Sequence, residues 1–94
     1  MEYKFIWDEN KNASNYHKHG VSFETAKEVF YDPMRNERFD KKHSLIEERW
    51  RVIGMVGWKV LAIICKEENG LVRIISARKA DKKETEVYFY GYNS

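Results

Sequence analysis

The chain has 94 residues, of which 43% are hydrophobic and 34% charged, and its formal net charge is +2. This length predicts a single domain over residues 1–94, because two independent cores would not fit. The net charge falls short of the strongly basic character typical of nucleic-acid-binding proteins, although residues 73–83 contain five cations and one anion.

Targeting and redox features are few. No apolar run approaches the ~18 residues of a membrane span, and the first residues lack a secretory h-region. We therefore expect a cytoplasmic protein with no membrane association. Cys65 is the only cysteine and lies in the apolar run "VLAIIC", which predicts a buried hydrophobic residue rather than a nucleophile.

The first half of the chain reads as a strand followed by two helices. The alternation in "YKFIW" predicts a strand over residues 3–7, with Asp8 as N-cap of a helix that ends near Gly20. We expect Ala13, Tyr16 and His17 on the less polar side of this helix. Ser22 then starts a second helix, which Pro33 ends.

The second half reads as a meander of strands with a last helix. "MRNERFD" predicts a weak strand, and "EERWRVIGMV", "WKVLAIICK" and "LVRIISAR" predict three stronger ones. Gly57 and the pair Asn69-Gly70 mark the two hairpin turns. Asp81 and Glu84 form a capping box for the last helix. The predicted class is α+β, an antiparallel sheet packed with two N-terminal helices and one C-terminal helix.

The histidine pair in "NYHKHGVSF" raises the question of a metal site. On a helix, residues two apart are separated by about 200°, so His17 and His19 point to opposite sides and cannot share one ion. The chain also has no other metal-binding spacing. We therefore predict no metal and no cofactor. Lys18 and His19 suit the negative end of the helix dipole, which does not prevent His19 from entering a site.

Two further segments carry residues suited to chemistry. In "KKHSLIEERW", His43 lies among charged residues. The following strand has side chains that alternate between its two faces, which puts Glu48 on one face with Trp50 and Val52. Arg49 and Arg51 are then on the other face.

In "RIISARKADKKE", a regular strand would put Arg73 on the face of Ile75 and Ala77, with Arg78 at the strand end. The two arginines could bind a phosphate, or they could form rim salt bridges to Glu47 or Glu48.

This set of side chains is compatible with RNA cleavage. The 2′-hydroxyl of the substrate is then the nucleophile, so the enzyme needs a base, an acid and cations but no metal. The same residues cover many inert domains, so the residues alone leave this question open.

Three blocks resemble the BrnT family of toxins. "FIWDENKNASNYHKHGVSFETA" resembles the family's opening block, "HSLIEERW" its central segment, and "RIISARKADKKE" its last block. The resemblance implies a RelE-like fold and a ribonuclease toxin of a type II toxin–antitoxin system that blocks translation. It also implies a BrnA-type antitoxin, which is a DNA-binding dimer. The toxin would reach operator DNA only through this antitoxin.

Candidate site residues follow from the resemblance by position. As catalytic candidates we assign Glu48 or His43 as base, with Arg73 and Arg78 as phosphate and transition-state ligands. Lys11 or His19 would position the substrate or act as acid, and the RNA-binding candidates are Lys11, Lys18, His19 and Arg49. Two alternatives remain, namely a non-catalytic protein- or nucleic-acid-binding module and a degenerate toxin that only binds its antitoxin.

Overall fold

A computed structural model of the protein describes residues 3–40 and 48–91. The elements follow the predicted order, which is a strand, two helical segments, four strands and a helix. The elements are β1 (Phe5–Ile6), α1 (Glu9–His19), α2 (Phe23–Ala26), a 3₁₀ helix (Lys27–Tyr31), β2 (Asn36–Phe39), β3 (Trp50–Val56), β4 (Lys59–Glu68), β5 (Leu71–Lys79) and α3 (Lys82–Tyr90).

The sheet has five strands in the order β1-β5-β4-β3-β2. The pairs from β2 to β5 are antiparallel, as predicted, whereas β1 runs parallel to β5, with Phe5 beside Val72 and Ile6 beside Arg73. The prediction of an all-antiparallel sheet was therefore wrong at one edge. An alternating pattern identifies a strand but carries no information about the direction of a partner more than 60 residues away.

Both hairpin turns follow the predicted turn chemistry. Asn69 and Gly70 have φ of 53° and 79°, the left-handed values that a type I′ turn needs at both central residues. Gly57 has φ of 63° at the first central position of the turn between β3 and β4. These two turns fix the register of β3, β4 and β5.

The helix ends also follow the sequence. Asp8 accepts hydrogen bonds from the amides of Asn10 and Lys11, and Ser22 accepts one from Thr25. Asp81 and Glu84 form the predicted reciprocal capping box. Gly20 and Gly91 end α1 and α3 in the left-handed conformation.

Helix α1 packs through polar side chains, contrary to the prediction. Ala13, Tyr16 and His17 are exposed, and the residues facing inward are Asn12 and Asn15. The reason is that α1 lies against backbone as well as side chains. Ala77 of β5 donates to Asn15 Oδ1 at 3.1 Å and accepts from its Nδ2 at 2.8 Å. An amide can make both bonds, and an apolar side chain can make neither.

The second helical segment is α-helical for one turn and then continues as a 3₁₀ helix up to Tyr31. Four apolar residues that recur at helical spacing in this segment are all buried, namely Phe23, Ala26, Val29 and Phe30. Gly54 of β3 allows this segment to come close, because a Cβ there would lie 2.7 Å from Val29 Cγ1.

The sheet separates two clusters of buried side chains. The larger cluster lies on the side of α1 and α2 and includes Val52, Ile63 and Ile74. The smaller one lies under α3 and consists of Ile53, Ala62 and Val87. We call the two sides of the sheet the α1 face and the α3 face. Because α3 is short, it covers only part of its face. None of the helices within the two described ranges has the length and apolar character that a membrane crossing requires.

Candidate functional site

The α3 face carries several cations in adjacent strands. Arg38 of β2 lies directly opposite Arg51 of β3, and Lys66 of β4 lies directly opposite Arg73 of β5. Side chains directly opposite in an antiparallel ladder share one side of the sheet. Arg78 pairs with Ala62, a member of the cluster under α3. We call this set the cationic face: Arg38, Arg51, Lys66, Arg73 and Arg78.

A β-bulge brings Arg73 and Arg78 to the same face. Ile64 pairs with Ser76, but the next residue, Cys65, pairs with Ile74, so β5 contains one extra residue. The prediction that Arg73 shares a face with Ala77 assumed a regular strand and was wrong. Ala77 is buried in the cluster on the α1 face, whereas Arg73 lies on the α3 face.

Glu84 connects two of these arginines. Its side chain is only 4% exposed, and its Oε1 accepts from Arg78 Nη1 at 2.7 Å and from the Asp81 amide at 2.9 Å. Its Oε2 accepts from Arg78 Nη2 at 3.0 Å and from Arg51 Nη1 at 3.2 Å.

The charge state of Glu84 follows from these bonds. Burial by itself would raise the pKa of Glu84, but the hydrogen bonds from Arg78 and from the Asp81 amide outweigh burial and lower it. The bond to Glu84 in turn raises the pKa of Arg78. Glu84 is therefore ionised at neutral pH and orients both guanidinium groups.

Arg73 is held by a different carboxylate. Its Nε lies 3.1 Å from both oxygens of Glu68, and its Nη2 lies 2.7 Å from Glu68 Oε2. This hydrogen bond raises the pKa of Arg73, and Asp8 adds an electrostatic contribution. Among the described residues, the salt-bridge partners of Arg73 and Arg78 are thus Glu68 and Glu84 rather than Glu48, and the other suggested partner, Glu47, lies outside the described residues.

These ion pairs leave the guanidinium groups accessible. The side chains of Arg51, Arg73 and Arg78 are 38%, 34% and 36% exposed. Each guanidinium has five N–H donors, more than its carboxylate partner uses. The cationic face can therefore bind an oxyanion while Glu68 and Glu84 stay in place.

Arg49 and Glu48 lie at the start of β3. The Asp40 amide donates to the Arg49 carbonyl at 2.8 Å, which continues the ladder between β2 and β3. As predicted, Trp50 and Val52 share the α1 face, and Arg51 lies on the opposite one. Glu48 is exposed, and in the described part of the chain no ion pair joins it to Arg73 or Arg78.

The remaining candidates are on α1 or outside the described residues. Lys11, Lys18 and His19 are exposed on α1, the helix that contacts β5 through Asn15. Within the described residues, 3–40 and 48–91, no hydrogen bond joins these three side chains to the cationic face. His43 lies outside the described residues. Within the described ranges, no group of three or more His, Cys, Asp or Glu side chains could hold a metal ion.

Sequence reasoning did not select several residues that the structure groups here. Glu84 was recognised only as a capping residue, and Arg38 and Lys66 were not selected at all. The sequence indicated that Arg38 and Lys66 lie in strands. It did not indicate which face of the sheet their side chains occupy, because that depends on cross-strand register. Glu84 follows Arg78 by six residues across a strand–helix junction, a spacing with no periodicity to reveal the contact.

A cavity of about 520 Å³ lies on the α1 face, and Lys66 of the cationic face is also among its lining residues. Tyr3, Phe30, Trp50, Val52 and Cys65 are among its lining residues. Burial raises the pKa of the Cys65 thiol to about 12, so the thiol is protonated at neutral pH. The prediction of a buried, unreactive cysteine agrees with this environment.

The fold and the cationic face together define a class, a small mixed α+β domain with an arginine-rich surface suited to a phosphodiester backbone. Residues 7–84 match the family described as the ribonuclease toxin, BrnT, of type II toxin–antitoxin systems. This match covers most of the chain, and the protein belongs to that family. The resemblance noted in the sequence is thereby confirmed. The comparison with curated proteins gave no match.

Proposed function

We propose that this chain, as a single domain with a RelE-like fold, is a metal-independent endoribonuclease that inhibits translation in the cytoplasm. Membership of the family supports ribonuclease activity and a protein antitoxin. The observation that carries the proposal is the cationic face, where the bulge in β5 turns Arg73 and Arg78 to one side.

The proposed reaction is a transesterification within the RNA. A base removes the proton of a 2′-hydroxyl, and the 2′-oxygen attacks the adjacent phosphorus while the bond to the 5′-oxygen breaks. An acid protonates that leaving oxygen, so the products are a 2′,3′-cyclic phosphate and a 5′-hydroxyl. Arg73 and Arg78 stabilise the charge that develops on the phosphoryl oxygens.

The other roles in this reaction are assigned by position. Glu48 or His43 acts as the base. Lys11 or His19 positions the substrate or acts as the acid, which requires the RNA to reach α1, on the other side of the sheet from the cationic face. Lys18 and Arg49 bind the RNA backbone. Glu48 requires substrate or a rearrangement to act beside Arg73, since it makes no contact with the cationic face among the described residues.

The proposed regulation is inhibition by a BrnA-type antitoxin. This antitoxin would be a dimer with a DNA-binding domain, and the toxin would reach operator DNA only through it. Co-expression with such an antitoxin should allow growth and give a complex that purifies together.

The test of activity is cleavage of RNA by the purified chain in EDTA. We expect cleavage by the wild type, and we expect Arg73→Ala and Arg78→Ala to lower the rate at least about 10²-fold, as loss of a transition-state ligand does. Lys59→Ala, which removes an exposed cation at the start of β4, is the control and should keep full activity.

Two further measurements complete the activity test. Circular dichroism verifies that each variant is folded, and Arg78→Lys retains the charge if Arg78→Ala does not fold. Expression of the wild type alone should arrest bacterial growth. Abundant folded protein that neither cleaves RNA nor arrests growth would contradict the proposal.

The ion pairs favour a second candidate, a domain that binds RNA or protein without cleavage. Both Arg73 and Arg78 are paired with carboxylates, as structural arginines are. A gel shift of RNA without cleavage in EDTA would support the binding module. Binding of the antitoxin without toxicity would support a degenerate toxin.

A further inference from the structure

We propose that Arg38 and Arg51 form a second phosphate subsite, which binds the RNA phosphate next to the one bound by Arg78. This inference rests on the proposed function and assigns to it two residues outside the predicted set. The subsite lies where β2, β3 and the first turn of α3 meet.

The first observation is the opposition of two like charges. Arg38 and Arg51 are direct cross-strand partners on the α3 face. Such partners have Cβ atoms about 5 Å apart, and like charges at this distance destabilise a sheet. The two side chains therefore lie next to each other on one side of the sheet, where a single oxyanion can contact both.

The second observation concerns the donors of Arg51. Its Nη1 donates to Glu84, but its Nε is buried and has no hydrogen-bond partner among the described residues. A buried donor without an acceptor is unusual in folded proteins. The guanidinium group is thus held in position by one carboxylate and retains donors for another acceptor.

The third observation is a cavity of about 180 Å³ at this point. Arg38, Arg51 and Lys83 line it, together with Asp81 and Glu84. Both carboxylates are occupied by other bonds. Asp81 Oδ1 accepts from the Glu84 amide, and Glu84 binds Arg78 through both of its oxygens. The three cations and two carboxylates give the lining a net charge of +1, and the cavity is large enough for a phosphate group.

The position beside Arg78 follows from Glu84. One carboxylate binds Arg78 on β5 and Arg51 on β3, so the two guanidinium groups lie on either side of it. A strand of RNA crossing the sheet from β5 toward β2 would meet Arg78 first and the pair Arg51 and Arg38 next. Because the proposed reaction takes place at the phosphate bound by Arg73 and Arg78, the second contact is one of binding rather than of chemistry.

The test is the salt dependence of binding to an RNA with 2′-O-methyl groups, which cannot be cleaved by this reaction. For single strands, each phosphate contact contributes about 0.7 to the slope of log K against log salt. We expect Arg38→Gln to reduce the slope by about 0.7 and to weaken binding about five-fold at moderate salt. Arg38→Lys should retain the slope, and Lys59→Gln should leave slope and affinity unchanged.

Cleavage kinetics separate the subsite from the reaction centre. Arg38→Gln should raise KM about five-fold and change kcat by less than two-fold, because uniform binding is lost. A fall in kcat at constant KM would overturn the subsite assignment. The subsite assignment would also be overturned if a folded Arg38→Gln variant had the same salt slope and KM as Lys59→Gln. In that case cleavage by the wild type would still support the proposed function. A wild type that bound no RNA would overturn both.

Discussion

One buried carboxylate, that of Glu84, holds two arginines from two different strands. Its four hydrogen bonds join β3, β5 and the first turn of α3. This residue therefore has two effects, since it fixes the geometry of the cationic face and attaches α3 to the sheet. A change at Glu84 should alter stability and RNA binding together.

We expect Glu84→Gln to lower the free energy of unfolding at pH 7 by about 1–3 kcal/mol, because charge-assisted bonds become neutral ones. The pKa of Glu84 is lowered in the folded protein. Its stabilising effect is therefore present above the unfolded pKa, near 4.5, and is lost as the pH falls through the lower folded value.

The measurement is urea denaturation of wild type and variant from pH 7 down to about pH 3. The difference between them should shrink as the pH falls, and a difference independent of pH would contradict the assigned ion pairs. Glu86→Gln is the matched control, because Glu86 is exposed on the same helix. It should change stability little at any pH.

The contact between α3 and the turn after the 3₁₀ helix is the main feature at the scale of elements. The hydroxyl of Tyr88 donates to Asp32 Oδ2 at 2.6 Å, and the same oxygen accepts from the Met55 amide at 2.8 Å. Burial and the bond to Asp32 raise the pKa of Tyr88 to about 12. Asp32 thus joins three segments that are distant in sequence.

We expect Tyr88→Phe to lower the free energy of unfolding by about 1–2 kcal/mol, because a hydrogen bond to a charged acceptor is lost. The stabilising effect of the tyrosine is fully present below its unfolded pKa of 10 and is lost as the pH rises through about 12. Thermal denaturation at pH 7 measures the effect, and Tyr16→Phe, at a tyrosine that is 59% exposed, is the control. Equal stability of the two variants would contradict the role of Tyr88.

Local elements could be predicted from the sequence because their causes are local. Asp8, Ser22 and Asp81 cap helices that begin at the next residue, and the pair Asn69-Gly70 has the conformation its turn requires. The parallel direction of β1 and the polar packing of Asn15 both depend on β5, which is more than 60 residues away. No local pattern carries that information.

The candidate site could be predicted only in part, for the same reason. Arg73 and Arg78 were selected, but their common face depends on a bulge that arises from pairing with β4. Arg38, Arg51 and Glu84 meet through register and the docking of α3. The family resemblance predicted membership correctly, because the residues and the order of the sequence blocks can be compared without knowledge of the strand register. The roles of Glu48, His43, Lys11, Lys18, His19 and Arg49 remain predictions.

At the scale of the whole molecule, the small net charge of +2 conceals a separation of charge. Within the described part of the chain, the cationic face gathers five basic side chains on one side of the sheet, beside the two carboxylates of Glu68 and Glu84. A polyanion therefore meets a much stronger local field than the net charge indicates.

We expect the protein to bind a heparin column at neutral pH and to elute at a salt concentration above that of proteins with equal net charge. The double variant Arg38→Gln/Lys66→Gln should elute at clearly lower salt. The double variant Lys4→Gln/Lys59→Gln, which has the same net charge but changes exposed cations elsewhere, should elute close to the wild type. Equal shifts for both double variants would contradict a localised binding surface.

The bulge in β5 also makes the curvature of the cationic face separable from the side chains that it carries. Ile75 is the extra residue, so a one-codon deletion there would leave Arg73 and Arg78 on their present side while removing the added local twist. The deletion would give a flatter surface with unchanged side chains. A loss of cleavage in this variant, with its affinity for 2′-O-methyl RNA retained, would identify the shape of the sheet as a determinant of activity in its own right.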